Sequence, residues 1–271
     1  MIFNNNRSFA ASFRKNRFII VKQFLSNIEL RIIQNLWNRH EHAPYLESTR
    51  EVNGNHVVGS SWSNPFKTRE YGVSDFGVSL LLESQKRIES FLNLELVPTY
   101  SYERKYYRDS VLYAHRDRPS CEISATIAID SETDSGKPWP IWVLNDKNYA
   151  GFDNSNAFAV SQALSTEERS LKGCKAIFLD PGDALIYQGI NVLHWRDPLE
   201  GSYAKQVFIH YVNKNGTFYT EFPELKWDGR RSAFHPYEEG YRNREIVREI
   251  NQQANDLEWT KARACKEISP I

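Results

Sequence analysis

The 271-residue chain is poor in sulfur, with three cysteines (Cys121, Cys174, Cys265) and a single methionine. The cysteines lie far apart and form no C-x-x-C pair. So sparse and odd a set excludes a disulfide scaffold and a cysteine-rich zinc site, and leaves reduced thiols in a cytoplasmic protein as the expectation. Long apolar runs are missing as well. The longest near the start, Phe18 to Val21, is far too short for a signal-peptide core or a membrane span, so no membrane partner is expected. Nor does charge of one sign dominate: Lys+Arg and Asp+Glu number 34 each. No global field draws the chain to nucleic acid or to an anionic surface, and nucleic acid is not expected as a partner. Acidic residues are scarce in one place only. None precedes Glu29, while Arg7, Arg14, Lys15, Arg17 and Lys22 are basic; we read a basic N-terminal arm rather than an organellar leader.

What remains is the composition of a folded domain rich in large side chains, with 7 Trp, 14 Tyr and 15 Phe to fill a core and line a pocket. Ser26-Asn27-Ile28-Glu29 is a capping-box pattern followed by Leu30, Ile32, Ile33, Leu36 and Trp37, which predicts a helix over about 27–39. A second helix is expected over about 75–92, with Leu80, Leu81, Ile88, Phe91 and Leu92 on its buried side. From Glu95 to Asn213 the texture changes to eight short β-type runs separated by turn signals such as Asp180-Pro181-Gly182-Asp183. Their number suits a small double-sheet jelly roll, mainly β with flanking helices. The segments 40–73 and 145–173 are expected to supply lid loops at its rim, and 238–264 a surface helix with Ile246, Ile250 and Leu257 as its apolar face. Residues 1–271 are read as a single domain: helical support over 1–94, the β core over 95–213 and a helical extension over 214–271.

The chemistry concentrates in Tyr113-Ala114-His115-Arg116-Asp117. Side chains alternate on an extended strand, so His115 and Asp117 project to one face and Arg116 to the other. An imidazole and a carboxylate on one face are two of the three ligands of a facial-triad iron site. H-x-D alone is a weak signal, and a surface His–Asp hydrogen bond explains it equally well. His194 changes that balance. It follows the turn-strand-turn of Asp180 to Gly189, deep in the second half of the β core, and offers a third ligand. Iron(II) bound by three ligands on one face keeps positions open for a 2-oxo acid and O2. A far carboxylate on that acid needs a cation. Lys205, at the start of the last strand, shares a face with Val207, Ile209 and Tyr211 by period 2 and is the first candidate. Arg196, two positions after His194 and on the metal-facing side if the strand continues, is its rival for an anionic group. Ser124 and Thr126 share one face of their strand and are candidate pocket residues.

Over 95–213 the chain resembles the 2-oxoglutarate/Fe(II)-dependent dioxygenase superfamily, in its prolyl-hydroxylase-like branch. The resemblance rests on Tyr107-x-x-Ser110-x-Leu112-x-x-His115-x-Asp117, on Pro181-Gly182-Asp183-Ala184-Leu185-Ile186-Tyr187, and on His194, Gly201 and Lys205 in that order. It implies a double-stranded β-helix (jelly-roll) core, with Fe(II), 2-oxoglutarate and O2 as cofactor and co-substrates. By position, His115, Asp117 and His194 match the iron ligands, Lys205 the basic residue for the co-substrate's distal carboxylate, and Tyr107 a tyrosine touching the co-substrate. Many members have Arg where Lys205 stands, and Ser110 replaces a common Gly. A carboxylate at Asp117 favours hydroxylation, because halogenating relatives carry a small residue there. The expected activity is hydroxylation of a small polar molecule such as an amino acid or a natural-product intermediate. The rival readings are a cupin-like metalloenzyme without 2-oxoglutarate, which lacks its usual histidine–glutamate cluster around His115, and a non-catalytic β-sandwich module.

Overall fold

A computed structural model describes residues 6–41, 50–52, 55–57, 68–71, 74–117, 119–144, 169, 173–216 and 219. In chain order the elements are α1 (Asn6–Asn16), β1 (Phe18–Val21), α2 (Asn27–Glu41), β2 (Arg50–Val52), β3 (Asn55–Val57), β4 (Thr68–Tyr71), α3 (Asp75–Leu92), β5 (Leu96–Tyr107), β6 (Leu112–His115), β7 (Ile123–Thr133), β8 (Ile141–Leu144), β9 (Lys175–Ile177), β10 (Ala184–Tyr187), β11 (Leu193–Arg196) and β12 (Gly201–Asn213), with a single 3-10 turn over Pro119–Cys121. All eight expected strands of the β core are present, and both expected helices. The surface helix over 238–264 and most of both expected lid segments lie outside the described residues. No described helix is long and apolar enough to cross a membrane.

Ten of the described strands form two antiparallel sheets, a major one in the order β1-β10-β7-β12-β5-β4 and a minor one in the order β6-β11-β8-β9, stacked as a jelly roll, and β2 and β3 pair separately as a two-stranded ribbon. One face of the major sheet carries the helices. There Ile123, Ala125, Ile127 and Ile129 of β7 and Val207, Ile209 and Tyr211 of β12 pack against Phe13, Trp37, Leu81 and Ile88 from the three helices. The opposite face looks into the roll, where Ala128, Leu185 and Tyr187 meet Ile141 and Val143 of the minor sheet. The helix boundaries follow from local chemistry. Ser26 and Glu29 close a reciprocal capping box ahead of α2, with backbone N–H to side-chain oxygen distances of 3.2 and 2.6 Å. Ser74 caps α3 by accepting from Gly77, and Asn93 ends it in the left-handed region at φ 56°.

The basic N-terminal segment was expected as an arm; instead it contributes α1 and β1. Phe9 meets Phe91 of α3 edge-on at 5.4 Å, Phe13 is buried, and β1 pairs with β10 to complete the major sheet. Apolar contacts hold this helix on the core, its first turn has no acidic residue, and Arg17 at φ 61° closes its end by donating its backbone N–H to the Phe13 carbonyl at 2.7 Å.

Glu122, at the entry to β7, is 2% exposed, and its Oε2 accepts from the backbone N–H of Asn213 at 2.8 Å, tying the end of β12 to the start of β7. Burial raises its carboxyl to about 7, only partly opposed by that hydrogen bond. A carboxyl raised in the fold is cheaper to ionise once unfolded, so stability falls as pH rises from about 4.5 through about 7. Glu122→Gln keeps an acceptor for Asn213 without the charge. We expect chemical denaturation to find the variant about 3 kcal/mol more stable than the parent at pH 8 and level with it at pH 4.5.

Candidate metal centre

Adjacent strands of the minor sheet bring the histidines together. His115 ends β6, His194 lies on β11, and the two are cross-strand partners with ring centroids 4.3 Å apart. Alternation turns Ala114, Leu193 and Trp195 to the far side of the sheet, leaving both imidazoles inside the roll. Each ring is fixed through Nδ1, which lies 2.7 Å from the Tyr113 carbonyl in His115 and 3.0 Å from the Val192 carbonyl in His194. A carbonyl can only accept, so Nδ1 carries the proton and Nε2 keeps its lone pair. Both Nε2 atoms face the same carboxylate oxygen, Asp117 Oδ1, at 3.7 and 3.6 Å.

Asp117 lies beyond the end of β6, placed by its own contacts. Its N–H donates to the Gly189 carbonyl at 2.9 Å, and Oδ2 accepts from Ser124 Oγ at 3.0 Å. Gly189 is a close-approach glycine, since a Cβ there would overlap the Cys121 carbonyl and the Asp117 carboxylate. Gly189→Ala should therefore push Asp117 out of line. Titration calorimetry with Co(II) is expected to show metal affinity reduced at least tenfold, with the two histidines untouched.

The electrostatics suit a cation. Burial is the main cause that depresses His115, to about 3, and the neighbouring His194 adds to it, so the ring is neutral. Burial alone would raise Asp117, but His194, His115, His210 and the Ser124 hydrogen bond together outweigh it and hold the carboxyl below its ordinary value. Two imidazole nitrogens and one carboxylate thus converge, their ligand atoms all within 4.8 Å of one another. Such a donor set fits a divalent metal of the iron type, with two nitrogens and one oxygen on one face. The Tyr187 hydroxyl lies 3.4 Å from His194 Nε2 on the same side.

The cation for an anionic partner is not where period 2 was expected to put it. Lys205 points to the helical face: Nζ donates to Asn38 of α2 at 3.0 Å and lies over the Trp37 ring, and its strand-mates Val207, Ile209 and Tyr211 pack among the helices. Tyr107 shares that side of β5 with Glu103, which accepts from Ser74 ahead of α3, and its ring lies under Lys105 Nζ. Neither residue faces the metal ligands. Arg196 does, because it alternates with His194 along β11. Its guanidinium is buried over the Trp139 ring; Nη1 donates to the Trp139 carbonyl at 2.6 Å, while Nε and Nη2 have no hydrogen-bond partner among the described residues. Burial lowers it to about 10, which leaves it charged at neutral pH.

Several pocket residues had no assigned role in the sequence. The inward face of β5 carries Tyr100, Tyr102, Arg104 and Tyr106, and that of β12 carries Gln206, Phe208 and His210, cross-strand from them. Tyr102 stacks on Phe208 at 4.6 Å, and Arg104 Nη1 donates to the Tyr106 hydroxyl at 3.3 Å. The period-2 repeat of aromatic and basic residues on β5 was the available signal. Ser124 and Thr126 do face inward, Thr126 donating to Gln206 at 3.3 Å. Trp142 and Trp195 stack on the outside of the minor sheet, away from the ligands.

Comparison with solved structures gives this arrangement a context. HygX from Streptomyces hygroscopicus, solved with nickel, 2-oxoglutarate and hygromycin B bound, superposes with a TM-score of 0.55 at 15% identity over 82% of this chain and 95% of that one. EctD from S. alaskensis, in its apoform, gives 0.51 at 16% identity over 75% of both chains. A prolyl hydroxylase from Trichoplax adhaerens, in complex with a hypoxia inducible factor peptide fragment, gives 0.51 at 13% identity over 78% and 91%. The chain shares their fold. No family model and no curated protein sequence matches it. At these identities the likeness extends to the jelly roll, and the reading of the site rests on its own geometry.

Proposed function

We propose that this protein is a non-haem Fe(II)- and 2-oxoglutarate-dependent oxygenase that hydroxylates a small polar molecule, with His115, Asp117 and His194 as the metal ligands. The observation that carries the reading is the convergence of two histidine Nε2 atoms on Asp117 Oδ1, inside a roll that also holds a buried arginine whose Nε and Nη2 are unpartnered among the described residues. Bound iron would supply oxidation of the substrate by O2, coupled to conversion of 2-oxoglutarate to succinate and CO2.

The chain's own residues bind, orient and exclude water. The backbone carbonyls of Tyr113 and Val192 keep both histidines in the metal-binding tautomer. Arg196 takes the distal carboxylate of 2-oxoglutarate in preference to Lys205, because its N–H groups are buried, charged and directed to the ligand side. The tyrosine, phenylalanine and tryptophan side chains around it keep the interior dry. A polar small molecule as substrate is supported by the presence of hygromycin B in the HygX structure.

Anaerobic addition of Fe(II) and then 2-oxoglutarate is expected to produce a visible charge-transfer band, and a metabolite panel scored for succinate should find compounds that stimulate its release. A band with iron alone, or metal binding with no response to 2-oxoglutarate, would instead favour the cupin-like alternative. No metal binding at all would leave only the sandwich module.

A further inference from the structure

We propose that His210 and Ser124 are positioning residues that act in series on Asp117: His210 fixes the hydroxyl of Ser124, and Ser124 holds the outer carboxylate oxygen so that the other faces the histidines. The inference rests on Asp117 being a metal ligand and adds two residues from different strands to the machinery. Ser124 Oγ has four polar neighbours, Asp117 Oδ2 at 3.0 Å, the Cys121 carbonyl at 3.1 Å, His210 Nδ1 at 3.0 Å and the Tyr187 hydroxyl. It has one proton to give. The ionised carboxylate is the stronger acceptor, so the proton goes to Asp117. His210 Nδ1 then serves as donor to Ser124 Oγ, which has a lone pair left to receive it. The chain therefore runs His210 Nδ1–H to Ser124 Oγ–H to Asp117 Oδ2.

Fold and packing prepare this order. Ser124 and His210 are cross-strand partners on β7 and β12, Ser124 fully buried and His210 at 3% exposure. The His210 ring lies 4.5 Å from Tyr100 and 5.9 Å from Tyr102, centroid to centroid, which fixes its plane. Asp117 needs such a hold because it sits past the last residue of β6 with no strand partner to orient it. A carboxylate turning about χ2 would exchange the oxygen facing the histidines for the other. Hydrogen bonds to the unused oxygen oppose that, as outer partners of metal ligands do in general.

Co(II) affinity measured by titration calorimetry on the purified full chain tests the series, with the thermal midpoint of the metal-free protein recorded in parallel. Ser124→Ala is expected to weaken Co(II) binding about 10- to 100-fold. His210→Phe is expected to weaken it similarly, and His210→Asn to restore most of it, because the Asn amide N–H occupies the place of Nδ1. The double variant Ser124→Ala/His210→Phe is expected to bind little worse than Ser124→Ala, since the histidine orients the carboxylate through the hydroxyl and adds only a weaker direct electrostatic effect on Asp117. Additive losses in the double variant, or Ser124→Ala affinity within about twofold of the parent, overturn the series. Should Ser124→Ala not fold, equal affinities for His210→Phe and His210→Asn do the same. Failure of the unaltered chain to bind Co(II) would sink the metal assignment itself, a result distinct from either.

Discussion

Alanine in place of His194 or Asp117 is expected to abolish 2-oxoglutarate turnover, by at least about a thousandfold in kcat, while leaving the protein folded. The expectation follows from what each change removes. His194→Ala takes away one of two neutral nitrogens aimed at a common point and leaves a two-ligand site, too few to fix a facial arrangement. Asp117→Ala takes away the only carboxylate of the triad, and with it the charge that draws a dication into an otherwise apolar and basic interior. His115→Ala should behave like His194→Ala, since the two are cross-strand equivalents. Asp117→Ala also removes a carboxylate that the fold stabilises, so a lower thermal midpoint is expected for that metal-free variant than for the parent. Metal content after anaerobic loading, succinate yield and thermal midpoint measured together separate a lost site from a lost fold. Undiminished succinate formation in either His194→Ala or Asp117→Ala would falsify the ligand assignment.

How much of this was legible in the sequence depended on whether the two faces of a strand differ in residue type. The histidines of β6 and β11 stand opposite small or apolar residues, which makes H-x-D and the later histidine conspicuous in the sequence, and the structure brings His115, Asp117 and His194 together. Turn chemistry at Asp180 to Asp183 and the capping boxes marked the element boundaries for the same local reason. On β12 the alternation was right but its sense was not. Lys205, Val207, Ile209 and Tyr211 do share a face, yet every residue from Ala204 to Asn213 is buried, because helices cover one side of the major sheet and the roll interior the other. A strand buried on both faces has no polar stripe to say which is inside. Tyr107 on β5 fails for a different reason: it lies with Lys105 on the half-exposed outer side, while its neighbour Tyr106 faces the interior. The first helix and strand escaped notice because their signal is a few phenylalanines whose partners lie far along the chain. Gly189 could be understood only with Asp117 and Cys121 packed against it.

Arg196→Met is expected to raise KM for 2-oxoglutarate by roughly a hundredfold or more, with a smaller effect on kcat at saturating co-substrate. The size comes from losing charge-assisted hydrogen bonds in a site where water cannot replace them. The same change should raise the thermal midpoint of the protein without ligands. In the parent, Arg196 carries buried N–H groups that no acceptor among the described residues meets, and an apolar chain of similar length removes that cost while still covering Trp139. Stability gained and co-substrate affinity lost at one position is the signature of a group kept for a ligand rather than for the fold. Arg196→Lys should fall between, keeping charge but losing the planar fork. Lys205→Met supplies the contrast: it severs the bond to Asn38 and the contact with Trp37, so a modest fall in thermal midpoint with an unchanged KM is expected. If KM instead follows Lys205 and ignores Arg196, the two cations exchange roles and the geometry of β12 in solution differs from the one described.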